Sequence, residues 1–296
     1  MGLNVNKHNV LVSVLMTVYN REKYIAEAIE SVLNSTYQNW ELIIVDDQSK
    51  DNSVTIAKSY QAKDSRIKVY VNEKNLGDYP NRNQAAAYAK GKYLKYVDAD
   101  DKIYPHGLEL LVYYMEQFPE AGYGLCSLPQ DKLQQFPFQL STEQAYQRHY
   151  FQQPLFHKAP LSAIIKTAAF NSIGGFTGKQ HLGDFEMWHL LSQEFPVVLM
   201  PHGIAWYREH DDQQMNANRT DPFVPFKYLL IADVLLIAEN CPLNKVDRQK
   251  ALEKNNRKKS NAIISAIKHH SIKKALQMQK KSGLSFYSVL KNKFIK

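Results

Sequence analysis

Two cysteines, Cys126 and Cys241, in 296 residues are too few for a disulfide framework, which fits a reducing cytoplasm. Long hydrophobic runs are missing as well. A bilayer span needs roughly 20 apolar residues, whereas the run near the N-terminus, Val10 to Val18, covers about nine and is followed by no small-residue cleavage site. The later run from Tyr228 to Ala238 is interrupted by Asp233. This pattern predicts a soluble or peripheral protein. There is no internal repeat, no low-complexity run and no nucleic-acid-binding motif. A phosphate loop is lacking too: Gly174-Gly175-Phe176-Thr177-Gly178-Lys179 misses the required glycine spacing by one residue and reads as a turn. Acidic residues are scarce at one end. Residues 245 to 296 hold 15 Lys/Arg and 2 Asp/Glu, whereas the first 244 carry a net −5, so the overall +8 conceals a mildly acidic body with a basic tail.

At 44% apolar and 11% aromatic, the chain can bury the core of one large α/β domain or of two lobes. Its first hundred residues alternate between two periodicities. Val10 to Thr17 is a β-branched apolar run, and Glu22 to Leu33 carries helix-spaced apolar residues at Ile25, Ala28, Ile29, Val32 and Leu33. Glu41 to Val45 reads as a buried strand, with a helix after it to about Lys63 capped by Ser49 or Asp51. A strand over Ile67 to Val71, a helix over Asn81 to Ala89 and a strand over Tyr93 to Val97 follow. Strands spaced by helices make βαβ units and a parallel sheet, whose ligands bind beyond the carboxyl ends of the strands.

The second half is less regular. Leu108 to Phe118 and Asp184 to Glu194 read as helices, and Ser162 to Ile165, Val197 to Met200 and Ile204 to Tyr207 as strands. The Gln-, Pro- and Tyr-rich stretch from Pro119 to Pro160 shows no usable period. Beyond Asn244 the pattern is of charged helices without an evident core of their own.

Asp98-Ala99-Asp100-Asp101 follows an apolar strand. Three carboxylates within four residues repel one another unless donors or a cation neutralise them. A hard divalent ion held by one or two carboxylates plus substrate phosphates would do so; a solvated turn with one Asp capping the next helix is the other reading. The spacing is not that of a calcium EF-hand, since no Gly or distal Glu follows. Asp46-Asp47-Gln48-Ser49 ends another strand of the same sheet, as a helix cap or as an acceptor for base N–H and ribose hydroxyl groups.

Four ordered motifs then coincide. VSVLMTVYNREKYIAEAIESVLNSTYQNWELIIVDDQSKDNS, NEKNLGDYPNRNQAAAYAKGKYLKYVDADD, GGF with GDFEMW, and WYREH resemble the family 2 glycosyltransferases of GT-A fold, over about residues 10 to 210. The resemblance implies a mostly parallel Rossmann-like sheet flanked by helices. It divides the chain into a nucleotide-sugar-binding half (1–110), an acceptor-binding half (111–240) and a basic helical extension (241–296). It implies an inverting transfer of a sugar from a nucleotide diphosphate, with UDP the expected nucleotide, to a hydroxyl of a glycan or polyprenyl-linked glycan of a bacterial surface polysaccharide. Carried over by position, Thr17, Tyr19 and Asn20 line the nucleotide, Asp46 with Asp47 holds the base, and Arg82 lies by the ribose and diphosphate. Asp98 contacts ribose, Asp100 ligates manganese or magnesium, His210 is a further metal or diphosphate ligand, and Asp184 is the catalytic base. Trp188 fits acceptor stacking or core packing. Pro usually stands where Thr17 does, and an acid often precedes the base where Gly183 stands, which leaves Glu186 the one competitor.

Other readings remain. A nucleotidyltransferase would need a Gly-rich, basic loop where Thr17-Val18-Tyr19-Asn20-Arg21 stands, and a non-catalytic nucleotide-sugar or membrane-surface binder would lack turnover. The basic tail carries apolar residues at helical spacing (Ile263, Ile267; Ile272, Leu276; Phe286, Tyr287, Leu290, Phe294, Ile295). It suits a peripheral contact with an anionic membrane surface on the cytoplasmic side or a helical lobe with a solvated basic face. Nucleic acid is not an expected partner.

Overall fold

The alternating apolar pattern of the N-terminal half becomes a twisted sheet with helices packed on it. The structure is a computed structural model that describes residues 9–179, 182–210 and 221–294. The chain divides into two compact units, one built from residues 1–145 and 155–208, the other from 146–154 and 209–296.

In the first unit, β1 (Val12–Val18), α1 (Ile25–Leu33), β2 (Trp40–Asp46), α2 (Ser53–Gln61), β3 (Ile67–Val71), α3 (Asp78–Ala87) and β4 (Tyr93–Tyr96) form successive βαβ units. A two-residue strand β5 (Lys102–Ile103) and α4 (Gly107–Glu116) follow, then β6 (Tyr123–Leu128), β7 (Phe138–Leu140) and α5 (Thr142–Phe151), which runs into the second unit. The unit closes with β8 (Ala163–Lys166), α6 (Thr167–Ser172), α7 (Gly183–Glu194), β9 (Val197–Pro201) and β10 (Ala205–Trp206).

The main sheet has eight strands in the order β3-β2-β1-β4-β8-β6-β9-β7, and β5 pairs with β10 beside it. The pairs among β3, β2, β1 and β4 are parallel, as is β6 with β9, while β8 runs antiparallel to both of its neighbours and β7 to β9. This is the mostly parallel, GT-A-type sheet that the sequence led us to expect. The register sets Val18 beside Asp46 and Asp46 beside Val71, so the carboxyl ends of the parallel strands form one rim. Beneath it Val12, Val14, Met16, Leu42, Ile44, Ile29, Val32, Leu108 and Leu111 share one buried core.

The stretch that sequence periodicity left unplaced, Pro119 to Pro160, contains β6, β7 and the whole of α5. β6 is buried along nearly its whole length, so it shows no alternation of polar and apolar residues. At Gly124 a Cβ would meet Met200 Cε at 2.4 Å and Met115 Sδ at 3.0 Å, so the two methionine ends fill the space beside this glycine.

The second unit holds α8 (Phe223–Ile237), α9 (Lys245–His269), α10 (Ile272–Ser282) and α11 (Phe286–Phe294). Its helices do have a core: Phe226 of α8 packs with Ile263, Ala266, Ala275, Met278 and Val289. α8 supplies what the basic helices lack. Asp233, the charge that breaks the apolar run of α8, accepts from Asn255 Nδ2 at 2.6 Å and from the buried Lys259 ammonium. Asn244 caps α9 by accepting from the Asp247 N–H, Ser271 caps α10 by accepting from that of Lys274, and Gly283 closes α10 at φ 68°. No described helix is long and apolar enough to cross a membrane.

Gly91, just before β4, sits against β1. A Cβ there would lie 2.6 Å from the Ser13 N and 2.7 Å from the Leu11 O, both backbone atoms that cannot swing away. Gly91→Ala is therefore expected to lower stability by about 1–3 kcal/mol, read as a drop in the denaturant midpoint with an unchanged slope.

Candidate active site

The rim is held by side chains that stitch neighbouring loops together. Asn20, in the left-handed region at φ 53° where Asn is better tolerated than most residues, receives the Lys50 N–H on its Oδ1 at 2.8 Å. Its own N–H goes to Ser49 Oγ at 2.9 Å. The Glu22 N–H donates to Asp51 Oδ2, and the Asn52 N–H donates back to Glu22 Oε2. The loops after β1 and β2 thus form one rigid lip, with Tyr19 exposed on it.

Asp46 and Asp47 do different things. Asp47 is buried and accepts from Asn72 Nδ2, the Leu76 N–H and the Gly77 N–H, each at 2.8 Å. That carboxylate organises the turn leading into α3. Asp46 Oδ1 accepts from the Ser49 N–H at 2.9 Å, whereas its buried Oδ2 meets no donor among the described residues. A buried carboxylate oxygen without a donor is costly, and it marks where a ligand N–H or O–H would be welcome.

α3 then reaches across the sheet. Arg82 is buried and donates from Nη1 and Nη2 to the two oxygens of Asp98 at 2.7 and 3.0 Å, and from Nε to Asp78 Oδ1 at 2.8 Å. Opposite charges on both sides hold its pKa well above the ordinary value despite burial. Thr17 Oγ1 lies 3.4 Å from Asp98 Oδ1.

Each further acid of the turn meets its own arginine. Asp100 Oδ2 receives Arg21 Nε at 2.8 Å. Asp101 Oδ1 receives the Arg208 N–H at 2.9 Å, while Arg208 Nε donates to the Asp100 carbonyl. Burial, with the Asp98 charge nearby, still pushes the Asp101 carboxyl up to about 8. Among the described residues no three His, Cys, Asp or Glu side chains form a metal cage. A magnesium-like ion held mainly by phosphates needs only one or two carboxylates, and Asp100, a hard-oxygen ligand in a charge-crowded turn, fits that role. Arg21 and Arg208 were not singled out from the sequence, although both lie inside quoted motifs.

Asp184 opens α7 and is half-buried. Desolvation pushes its pKa up, opposed by the Phe185 N–H, the Arg82 charge and the Tyr79 hydroxyl. The rival acid is occupied: buried Glu186 accepts from Thr177 Oγ1 and from Lys179 Nζ. Trp188 is fully buried, stacked on Tyr123 at 5.8 Å with its Nε1 donating to the Lys158 carbonyl. Of its two sequence readings, the structure shows core packing. His210 belongs to the second compact unit, so the first unit's acidic rim is built without it. The Gly174–Lys179 segment is a turn, as expected: Gly174, Gly175 and Gly178 have positive φ, and Asn83 Oδ1 accepts from the Phe176 N–H at 2.9 Å.

The elements and rim define a class: an α/β protein with a mostly parallel sheet flanked by helices and carboxylates gathered at the carboxyl ends of its parallel strands. Within that class, the profile of the family described as "Glycosyl transferase family 2" matches residues 13–174, and the chain belongs to that family. It is 43% identical over 105 residues to the Escherichia coli "UDP-Glc:alpha-D-GlcNAc-diphosphoundecaprenol beta-1,3-glucosyltransferase WfgD", a match covering 36% of this chain and 41% of that one. The chain spans between 18% and 56% of the length of the curated relatives it matches. The fold resembles that of S. aureus TarS 1-349 in complex with UDP, with a TM-score of 0.71 and 19% identity over 96% of this chain and 81% of that one. It also resembles the mannosyltransferase PcManGT from Pyrobaculum calidifontis in complex with GDP-Man and Mn2+, with a TM-score of 0.62 and 14% identity over 97% and 84%.

His189, one turn beyond Phe185 on α7, is fully buried between the Phe156 and Phe185 rings at 4.4 and 4.3 Å. Its Nδ1 lies 2.8 Å from the Phe185 carbonyl, and burial pushes its pKa down to about 3. Between about pH 6.5 and 3 the unfolded chain takes up a proton here that the folded chain refuses. Stability should therefore fall by about 1.4 kcal/mol per pH unit below 6.5 on account of this residue. His189→Asn, which keeps a donor for the carbonyl, should flatten that slope in unfolding curves recorded from pH 7 to 5.

Proposed function

We propose that this protein transfers a sugar from a nucleotide diphosphate, UDP in the first instance, to a hydroxyl of a glycan or lipid-linked glycan acceptor, with inversion at the anomeric carbon. One observation carries the reading. The first turn of α3 joins the acidic rim to a desolvated carboxylate, through Arg82 to Asp98 and through Tyr79, three positions earlier, to Asp184 at 3.2 Å.

Residues 1–110 are the half that holds the sugar nucleotide. The unsatisfied Asp46 Oδ2 takes an N–H or O–H of the nucleoside, with Thr17, Tyr19 and Asn20 on the lip beside it. Asp98, held square by Arg82, faces the ribose. Asp100 would hold manganese or magnesium, which when bound would supply positive charge to the departing diphosphate. Residues 111–240 present the acceptor. Asp184 takes the proton of the acceptor hydroxyl as its oxygen bonds to the anomeric carbon and the bond to the diphosphate breaks. The proton ends on Asp184 and the electron pair on the diphosphate. General base assistance is worth about 10²–10⁴-fold, and a carboxylate whose pKa is raised by burial is the stronger base. One base opposite one leaving group gives a single displacement.

The activity for which the E. coli relative is named, glucosyl transfer from UDP-Glc to a diphosphoundecaprenol-linked sugar, supports a lipid-linked acceptor in surface-glycan synthesis. With manganese, the purified protein should bind at least one of UDP-glucose, UDP-N-acetylglucosamine and GDP-mannose by calorimetry and release nucleoside diphosphate from it. Asp184→Asn should retain that binding and lose at least about 10²-fold in turnover. Failure to bind any sugar nucleotide sinks the function, whereas undiminished turnover in Asp184→Asn sinks only the base.

The basic helical extension (241–296) adds a cytoplasmic, peripheral membrane contact to the proposal. Ile272 and Leu276 on α10, and Phe286, Tyr287 and Leu290 on α11, are exposed, an i, i+4 arrangement in a segment rich in Lys. Ile263 lies in the core instead, the side chain of Phe294 is not described, and Ile295 lies outside the described residues. Each Lys or Arg near an anionic surface is worth about 1 kcal/mol. Because the tail shares its core with α8, point variants test this better than truncation. Phe286→Glu with Tyr287→Glu should release the folded protein from phosphatidylglycerol vesicles in co-sedimentation, and unchanged pelleting would contradict the contact.

A further inference from the structure

Gly183, the residue before Asp184, is a glycine for a packing reason. A Cβ there would lie 2.8 Å from each of three ring atoms of Tyr79, so that ring occupies the volume where any other side chain would begin. Tyr79 is 6% exposed and its ring is braced by Phe176, with centroids 5.2 Å apart. The ring therefore has one place to be, and its hydroxyl donates to Asp184 Oδ1 at 3.2 Å. The same oxygen accepts the Phe185 N–H at 2.8 Å. Among the described residues, both hydrogen bonds to this carboxylate fall on Oδ1 and neither on Oδ2. Burial and the Asp184 charge push the Tyr79 hydroxyl far up, so it stays protonated and has a proton to give the carboxylate.

We propose that Tyr79 is a positioning residue for the base: it anchors Oδ1, turns Oδ2 toward the reaction as the atom that takes the acceptor proton, and requires glycine at 183. This rests on Asp184 being the base, and it gives a role to a residue that lies inside a quoted motif but to which the sequence assigned none. Among the described residues, the other charged groups acting on Asp184 are Arg82 and Asp78 on the same helix as Tyr79, the first lowering and the second raising its pKa. Neither depends on the Tyr79 hydroxyl, so removing that hydroxyl isolates its contribution.

The test uses the full-length protein with Tyr79→Phe, which keeps the ring, and Gly183→Ala, which keeps the hydroxyl but displaces it. The Asp184 carboxyl is followed by 13C NMR in aspartate-labelled protein, assigned with Asp184→Asn, and needs no substrate. A hydrogen bond to the ionised form lowers a carboxyl pKa. Its loss should move the Asp184 midpoint up by about half a unit or more in both variants. In turnover of UDP-glucose, UDP-N-acetylglucosamine or GDP-mannose, whichever is processed, the acid limb of kcat should move up with it. There kcat should fall about tenfold at neutral pH from misplacement of the base, with KM for the sugar nucleotide within a factor of about two, as expected when ground-state binding is untouched. An unshifted carboxyl midpoint in Tyr79→Phe overturns the inference, and so does a wild-type kcat profile in that variant when Asp184→Asn is inactive. If Asp184→Asn turns over like wild type, the base reading itself falls and this one with it.

Discussion

The arrangement depends on a buried guanidinium. Arg82 holds both oxygens of Asp98 at the end of β4 and Asp78 at the start of its own helix. Removing one partner of such a buried pair costs about 3–5 kcal/mol, because the other charge is left uncompensated. The grip fixes the start of α3 against the carboxyl end of the sheet. Asp47 works from the other side, accepting the Leu76 and Gly77 N–H groups and so fixing the turn into that helix. With both ends of the turn held, Tyr79 and Arg82 point to Asp184 and Asp98 from one helical face. The spacing between the Asp98 and Asp184 contacts on this helix is one turn.

Charge balance explains the rest of the rim. Asp98, Asp100 and Asp101 stand within four residues, and an arginine from a different segment meets each: Arg82, Arg21 and Arg208. Only for Asp98 is the pairing bidentate. For Asp101 the contact is a backbone N–H, and burial outweighs it.

Much of this was legible beforehand. The alternation of β-branched runs with helix-spaced apolar residues gave the parallel half of the sheet to within a few residues, because each strand there is a short, continuous buried run. The segment from Pro119 to Pro160 was not legible: β6 is buried on both faces and β7 is three residues long, so neither leaves a periodic trace. The tail's core was missed because Phe226, which completes it, lies outside the tail. Asp233, read from sequence as a flaw in an apolar run, is the partner of Lys259.

The same division holds for the site. Residue type and strand-end position determined by themselves that carboxylates would collect on one rim, since a parallel sheet sends every strand's carboxyl end the same way. Sequence could not say which of them are already neutralised, because partners such as Arg208 with Asp101 lie 107 residues apart. Tertiary structure alone decided that Asp47 serves the fold while Asp46 keeps an oxygen without a donor, that Glu186 is occupied while Asp184 is available, and that Trp188 is core. The physical reason is common to all of these: a carboxylate's chemistry is set by its burial and its donors, and both are properties of packing.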